Sequence, residues 1–143
     1  AGAIAEFVGR ELLKVVDQVI LENGGDIFIS TNVQRKIGIF AGDSPFSGRL
    51  AMVIKAEATP LGICTSSGTV GSSLSFGTAD AVVITSKNSA LADAVATGIG
   101  NIVKSEKDIP QAIEKAKQIP EVLGAVVIKG SKMGAWGEVE LVR

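Results

Sequence analysis

The 143 residues fit one domain of common size, and 46% hydrophobic residues with a positive mean hydropathy supply an ample core. With 14 basic against 15 acidic residues there is no field to attract nucleic acid or an anionic membrane surface, and no apolar run is long enough to span a bilayer. The single Cys64 excludes an internal disulfide and a thiolate metal cage, and the absence of His and Tyr excludes a Ser-His hydrolase. This composition suits a reducing cytoplasm.

In chain order, Ile4, Phe7, Val8, Leu12, Val15, Val16 and Val19 recur at helical spacing and predict an amphipathic helix over residues 2–21. It begins at once, without a capping residue, so the chain is expected to be the C-terminal part of a longer polypeptide lacking an N-terminal portion. Asn23-Gly24-Gly25 reads as the helix stop, followed by short strands at 26–30, 35–41, 50–56 and 61–64. Residues 79–85 read as a strand buried on both faces, and Asn88 or Ser89 is a good N-cap for the next helix, which reaches about Ile99. A third helix at 109–118, with Pro110 in its first turn and Asp108 and Gln111 as a capping box, is followed by two strands at 123–129 and 136–142 forming a hairpin. The order α-β-β-β-β-β-α-α-β-β predicts a single α+β domain with a mixed or antiparallel sheet packed with helices.

Three stretches could carry chemistry. Asp93 and Thr97 lie one turn apart on one helix face, where a carboxylate and a hydroxyl suit a hard cation such as Mg²⁺; equally, Asp93 complements a helix N-terminus and Thr97 fills a polar gap. Asn23-Gly24-Gly25-Asp26 places backbone N–H groups and a carboxylate around a ligand, or is a plain turn. The small-residue loop from Thr65 to Gly77, with Ser66, Ser67, Gly68 and Ser72, could cradle phosphate on its amides, although it is not a Walker loop, or could be a flexible surface loop. Cys64, with no His to activate it, reads as a buried inert thiol, and Trp136 as a core or rim residue.

Taken together, several of these pieces resemble the ApbE family of Mg²⁺-dependent flavin transferases, which move FMN from FAD onto a protein Thr. Gly2-Ala3-Ile4-Ala5 resembles that family's helix start, Asn23-Gly24-Gly25-Asp26 its turn, Thr65-Ser66-Ser67-Gly68 its loop, and Ala92-Asp93-Ala94-Val95-Ala96-Thr97 its metal-bearing helix. The segments CTSSGTVG, SLSFG-x-ADAVV, LADA-x-AT-x-IGN and GAWGE-x-ELV are more similar still to a group of uncharacterised ApbE-like proteins of archaea and some bacteria.

The resemblance implies an ApbE-like fold and a Mg²⁺ held by Asp93, Thr97 and a backbone carbonyl near Ala5. It also implies FAD, FMN or another nucleotide docked on Asn23, Gly24, Gly25, Asp26, Thr65, Ser66, Ser67, Gly68 and Ser72. Glu6 stands where the transferases have Lys, and Ser72 where the closer group often has His. Two readings follow: a Mg²⁺-dependent phosphoryl or FMN transferase, its catalytic residues unassigned, or a non-catalytic ligand-binding or assembly protein that keeps the fold without the chemistry. The expected partners are a small-molecule nucleotide or flavin, and the N-terminal portion of the same protein or further copies of it.

Overall fold

The computed structural model describes residues 1–71 and 74–143, so Ser72 lies outside the described residues. Helix α1 spans Gly2–Leu12, far short of residue 21. Of the apolar positions beyond it, Val15 and Val16 lie in the connection, and Val19 opens a strand, β1 (Val19–Asn23), whose side chains alternate between half-buried and exposed. Val15, Val16 and Val19 fit the helical period, but β-branched residues also suit a strand, and here pairing with the next strand decides.

Gly24 and Gly25, both with positive φ (63° and 97°), form the two-residue hairpin turn from β1 into β2 (Asp26–Ser30). Two positive-φ positions in succession explain the glycine pair. Then follow β3 (Arg35–Ile39), β4 (Leu50–Ile54), β5 (Leu61–Ser66) and β6 (Ala81–Ser86). Helix α2 (Ser89–Ile102) is capped by the Asn88 side chain, which accepts from the Leu91 amide at 3.0 Å. A 3₁₀ turn at Glu106–Asp108 leads into α3 (Ile109–Lys117), and the strands β7 (Val122–Lys129), β8 (Lys132–Gly137) and β9 (Leu141–Val142) end the chain. The capping box is Ser105 with Asp108 on the 3₁₀ turn, one turn earlier than the expected Asp108–Gln111 pair.

Every strand pairing is antiparallel. Six strands form one sheet in the order β1-β2-β5-β6-β7-β8, and β3, β4 and β9 form a second. The expected final hairpin is therefore split: β8 pairs with β7, and after the positive-φ Gly137 the chain leaves to add β9 beside β4.

The large sheet is covered on both faces. On one, Cys64, Val82, Ile84, Ala125 and Val127 meet Ala92, Val95, Ala96 and Ile99 of α2 and Ala112 and Ala116 of α3, with Trp136 half-buried at the edge. On the other, Ile29, Ile63, Val83, Val126 and Ile128 meet Ile39, Leu50, Met52 and Ile54 of the small sheet. All six residues of β6 are buried, as its unbroken apolar run predicts. The molecule is thus a layered α+β domain with two sheets, which corrects the expectation of one ApbE-like sheet: class and layer order are shown, the ApbE fold is not. No helix among the described residues is long and apolar enough to cross a membrane.

Candidate functional site

The site starts from a close contact between helices. A Cβ on Gly2 would lie 2.6 Å from the Ser89 carbonyl and 3.1 Å from the Asp93 Cβ, so only glycine lets the first turn of α1 reach α2. Glu6 fixes the same contact from the other direction. Its carboxylate accepts from the Ser89 amide at 2.7 Å, at the N-terminus of α2, and pairs with Arg10 at 2.6 Å. Burial pushes the Glu6 carboxyl up, and the Ser89 amide and Arg10 outweigh it, so it is held below its ordinary value.

With the helices this close, Asp93 faces the start of α1. Its Oδ2 accepts from the Ala1 nitrogen at 2.6 Å and from the Gly2 amide at 3.0 Å. The Ala1 ammonium also lies 3.4 Å from Oδ2 of Asp26, the first residue of β2. Two carboxylates therefore converge on one nitrogen. Asp26 is only 5% exposed. Its Oδ1 accepts from the Thr65 amide at 3.3 Å.

The two acids are driven apart in acidity. Burial pushes the Asp26 carboxyl above its ordinary value, with the neighbouring Asp93 adding to this. Asp93 feels burial as well, but the Ala1 ammonium, the Gly2 amide and Asp26 together hold it below its ordinary value. The Ala1 ammonium is raised in turn, chiefly by its hydrogen bond to Asp93. Burial, with Asp26 and Asp93 nearby, pushes the Cys64 thiol far up, and its Sγ donates to the Ser89 carbonyl at 3.4 Å, so the inert reading of this thiol holds.

This acid pair lies in a cleft of about 610 Å³. Ile37, Ile39, Phe40 and Met52 of the small-sheet region, with Ile63 and Val83 of the large sheet, form its apolar wall. Gly24, Gly25, Thr65, Ser66, Ser67, Val70 and Gly71 rim it, and Thr97 stands one helical turn beyond Asp93. Among the described residues of its lining, the charged side chains are Glu22, Asp26 and Asp93, so the cleft is negative.

The loop is wound on itself. Ser67 Oγ accepts from the Thr69 amide at 3.1 Å and the Val70 amide at 2.9 Å, and Thr69 Oγ1 donates to the buried Asp80 at 2.9 Å. Two amides that a phosphate cradle would use are thus already satisfied.

Of the residues singled out in the sequence, Gly24, Gly25, Asp26, Thr65, Ser66, Ser67, Asp93 and Thr97 meet around this one cleft. Asn23, Gly68 and Ala5 do not line it. Asn23 donates through Nδ2 to the Ala1 carbonyl at 3.4 Å, a Cβ on Gly68 would collide with the Gly77 carbonyl, and Ala5 is fully buried within α1. The pairing of Asp26 with Asp93, 67 positions along the chain, was missed, as was the whole apolar wall. Neither leaves a local signal: the pair is made by the glycine contact between helices, and the wall by the packing of two sheets.

A family profile described as "AbpE bacteria" matches residues 1–140. The chain is 40% identical over 144 residues to a UPF0280 protein of Methanothrix thermoacetophila, covering 100% of this chain and 60% of that protein. It is 42% identical over 149 residues to a UPF0280 protein of Methanocaldococcus jannaschii, again covering 100% and 60%, and 42% identical over 144 residues to one of Methanosarcina barkeri, covering 99% and 56%. The chain thus spans about three fifths of the length of the curated relatives it matches.

These relatives correct the resemblance drawn from the motifs. They are consistently named UPF0280 proteins, not ApbE flavin transferases, and that name assigns no reaction. Among the described residues, no group of three or more His, Cys, Asp or Glu is placed to hold a metal. The readings of an ApbE-type Mg²⁺-dependent FMN or phosphoryl transferase with a flavin or nucleotide substrate, and of an ApbE fold that has shed this chemistry, are therefore set aside.

Proposed function

Because the chain belongs to the family described as "AbpE bacteria", whose UPF0280 relatives carry no assigned reaction, we propose a function from the cleft alone: it binds a small molecule through a cation held by Asp26 and Asp93. The observation that carries this is the convergence of both carboxylates on one nitrogen, at 2.6 and 3.4 Å, in a cleft with no basic side chain among the described residues of its lining. Where a residue precedes Ala1, that nitrogen is an uncharged amide, and the pair is offset either by a proton shared between the two acids or by a cation from elsewhere, which is the reading tested below.

A hard divalent ion, Mg²⁺, suits the donors. Mg²⁺ is commonly bound by one or two carboxylates, with water and ligand oxygens completing its shell, so no larger acidic cluster is required. Asp26, Asp93 and the Thr97 hydroxyl would hold it, and the ion would bridge the protein to an oxygen-bearing ligand lying along the apolar wall. Ala5, inside α1 and away from the cleft, is not part of this set.

A second reading is supported by the distances themselves. They are ion-pair lengths to an ammonium, so an organic amine beside the Ala1 nitrogen could pair with the same two acids, with its carbon skeleton on Ile37, Phe40 and Met52.

The test is calorimetric titration of the full-length protein with Mg²⁺, then with a short alkylamine, for the native chain, Asp26→Asn and Asp93→Asn. Mg²⁺ binding weakened at least tenfold by either substitution supports the first reading, and the same pattern with the amine alone supports the second. Equal affinity in all three proteins would overturn both.

A further inference from the structure

Helix α1 is turned the opposite way from an ordinary surface helix. The residues it buries against the domain are Gly2, Ala5 and Gly9, three of its four smallest. Gly9 is held to glycine by the Phe28 ring, into which a Cβ would run. The large side chains point away: Ile4 is 63% exposed and Phe7 69%, with Val8 and Leu12 also exposed. Just past the helix, Val15 is 81% exposed, and Val16 continues the patch. A surface helix normally puts its apolar residues on the core and its charges in water. A contiguous apolar patch of this kind marks a surface that another element covers.

Charge narrows what that element can be. On the helix and just beyond it Glu6 pairs with Arg10 and Glu11 with Lys14, and the next charge, Asp17, is acidic, so there is no basic face of the kind that seats a helix on an anionic membrane. An uncharged apolar face matches apolar polypeptide. The relatives contain such a candidate, since their alignment to all of this chain leaves two fifths of their own length unmatched.

We propose that the outward face of α1 is the docking surface for that further polypeptide, carried on the same chain in the full-length protein, and that α1 is an interior helix of the complete molecule. This is independent of what the cleft binds. Because the first turn of α1 touches Asp93, a segment docked on α1 would sit beside the acid pair.

The experiment uses the full-length protein with any cysteine outside these 143 residues replaced by Ser; within them Cys64 is fully buried. Phe7→Cys and Val15→Cys are labelled with a water-soluble thiol reagent, beside Lys115→Cys on the solvated face of α3. The expected result is labelling at 7 and 15 at least tenfold slower than at 115, in a protein whose solution mass is that of one chain. A photo-crosslinker at position 7 should then join to a peptide outside these 143 residues. Equal labelling at all three positions, a gene product made of these 143 residues alone, or a crosslink to a second copy would each overturn the proposal. Both substituted positions are exposed in the domain, so they probe the surface without disturbing the core.

Discussion

Asp26 is the residue on which the site depends. It is a buried carboxyl with its acidity weakened, next to a partner with its acidity strengthened. Its linkage to stability has a definite sign. A carboxyl with a raised folded value binds more protons folded than unfolded, so stability falls as pH rises from the ordinary carboxylate value to the raised one. Asp26→Asn removes that loss. In urea unfolding, the variant should be level with the native protein or below it at acid pH, and gain on it as pH rises through this window. A difference constant with pH would mean the carboxyl is not shifted. Isolated from its neighbours, Asp26 in the sequence is one acid after a turn. Its burial, and hence its chemistry, is created by β2 lying beside β5, which puts the Thr65 amide on one oxygen.

At the scale of elements, α2 is the rigid support, presenting Asp93 and Thr97 to the cleft and Val95 and Ile99 to the core. Its start was readable from the sequence to within one residue, because Asn88 and Ser89 are both good N-caps, and the structure selects Asn88, whose side chain accepts from the Leu91 amide. Asn88→Ala should cost about 1 kcal/mol of stability in chemical denaturation, with the fold retained; no loss would mean that the amide finds water as readily. The α1 boundary was not readable in the same way. Residues 13–18 carry no Gly or Pro to stop a helix, and the apolar period runs on through Val19. Pairing of β1 with β2 through the two-glycine turn ends the helix, and that is a tertiary preference.

For the whole molecule, Met52 shows how the two sheets depend on each other. It is 1% exposed, lies in the core between the sheets, and lines both the 610 Å³ cleft and a second cavity of about 340 Å³ bounded by Thr85, Leu123 and Val139. Met52→Ala removes a buried side chain at a place already flanked by space, and should destabilise the domain by about 2–5 kcal/mol. Thermal unfolding checks this; an unchanged midpoint would show that the sheets are held apart by other contacts.

Local chemistry was determined by the sequence alone: a buried central strand from an unbroken apolar run, an N-cap for α2 at Asn88 or Ser89, and Asp93 with Thr97 on one helix face. Each depends on neighbours within a few residues, where backbone geometry is nearly fixed by residue type. Motif likeness went further and pointed to a named chemistry, which the relatives corrected, since short motifs of small residues are shared by chains whose sites differ. Only the tertiary structure decided that Asp26 meets Asp93, that β9 leaves its hairpin for the second sheet, and that α1 turns its large side chains outward. Each of these depends on two elements distant in sequence sharing one volume, and the free energy that settles it is packing and desolvation, which no local pattern encodes.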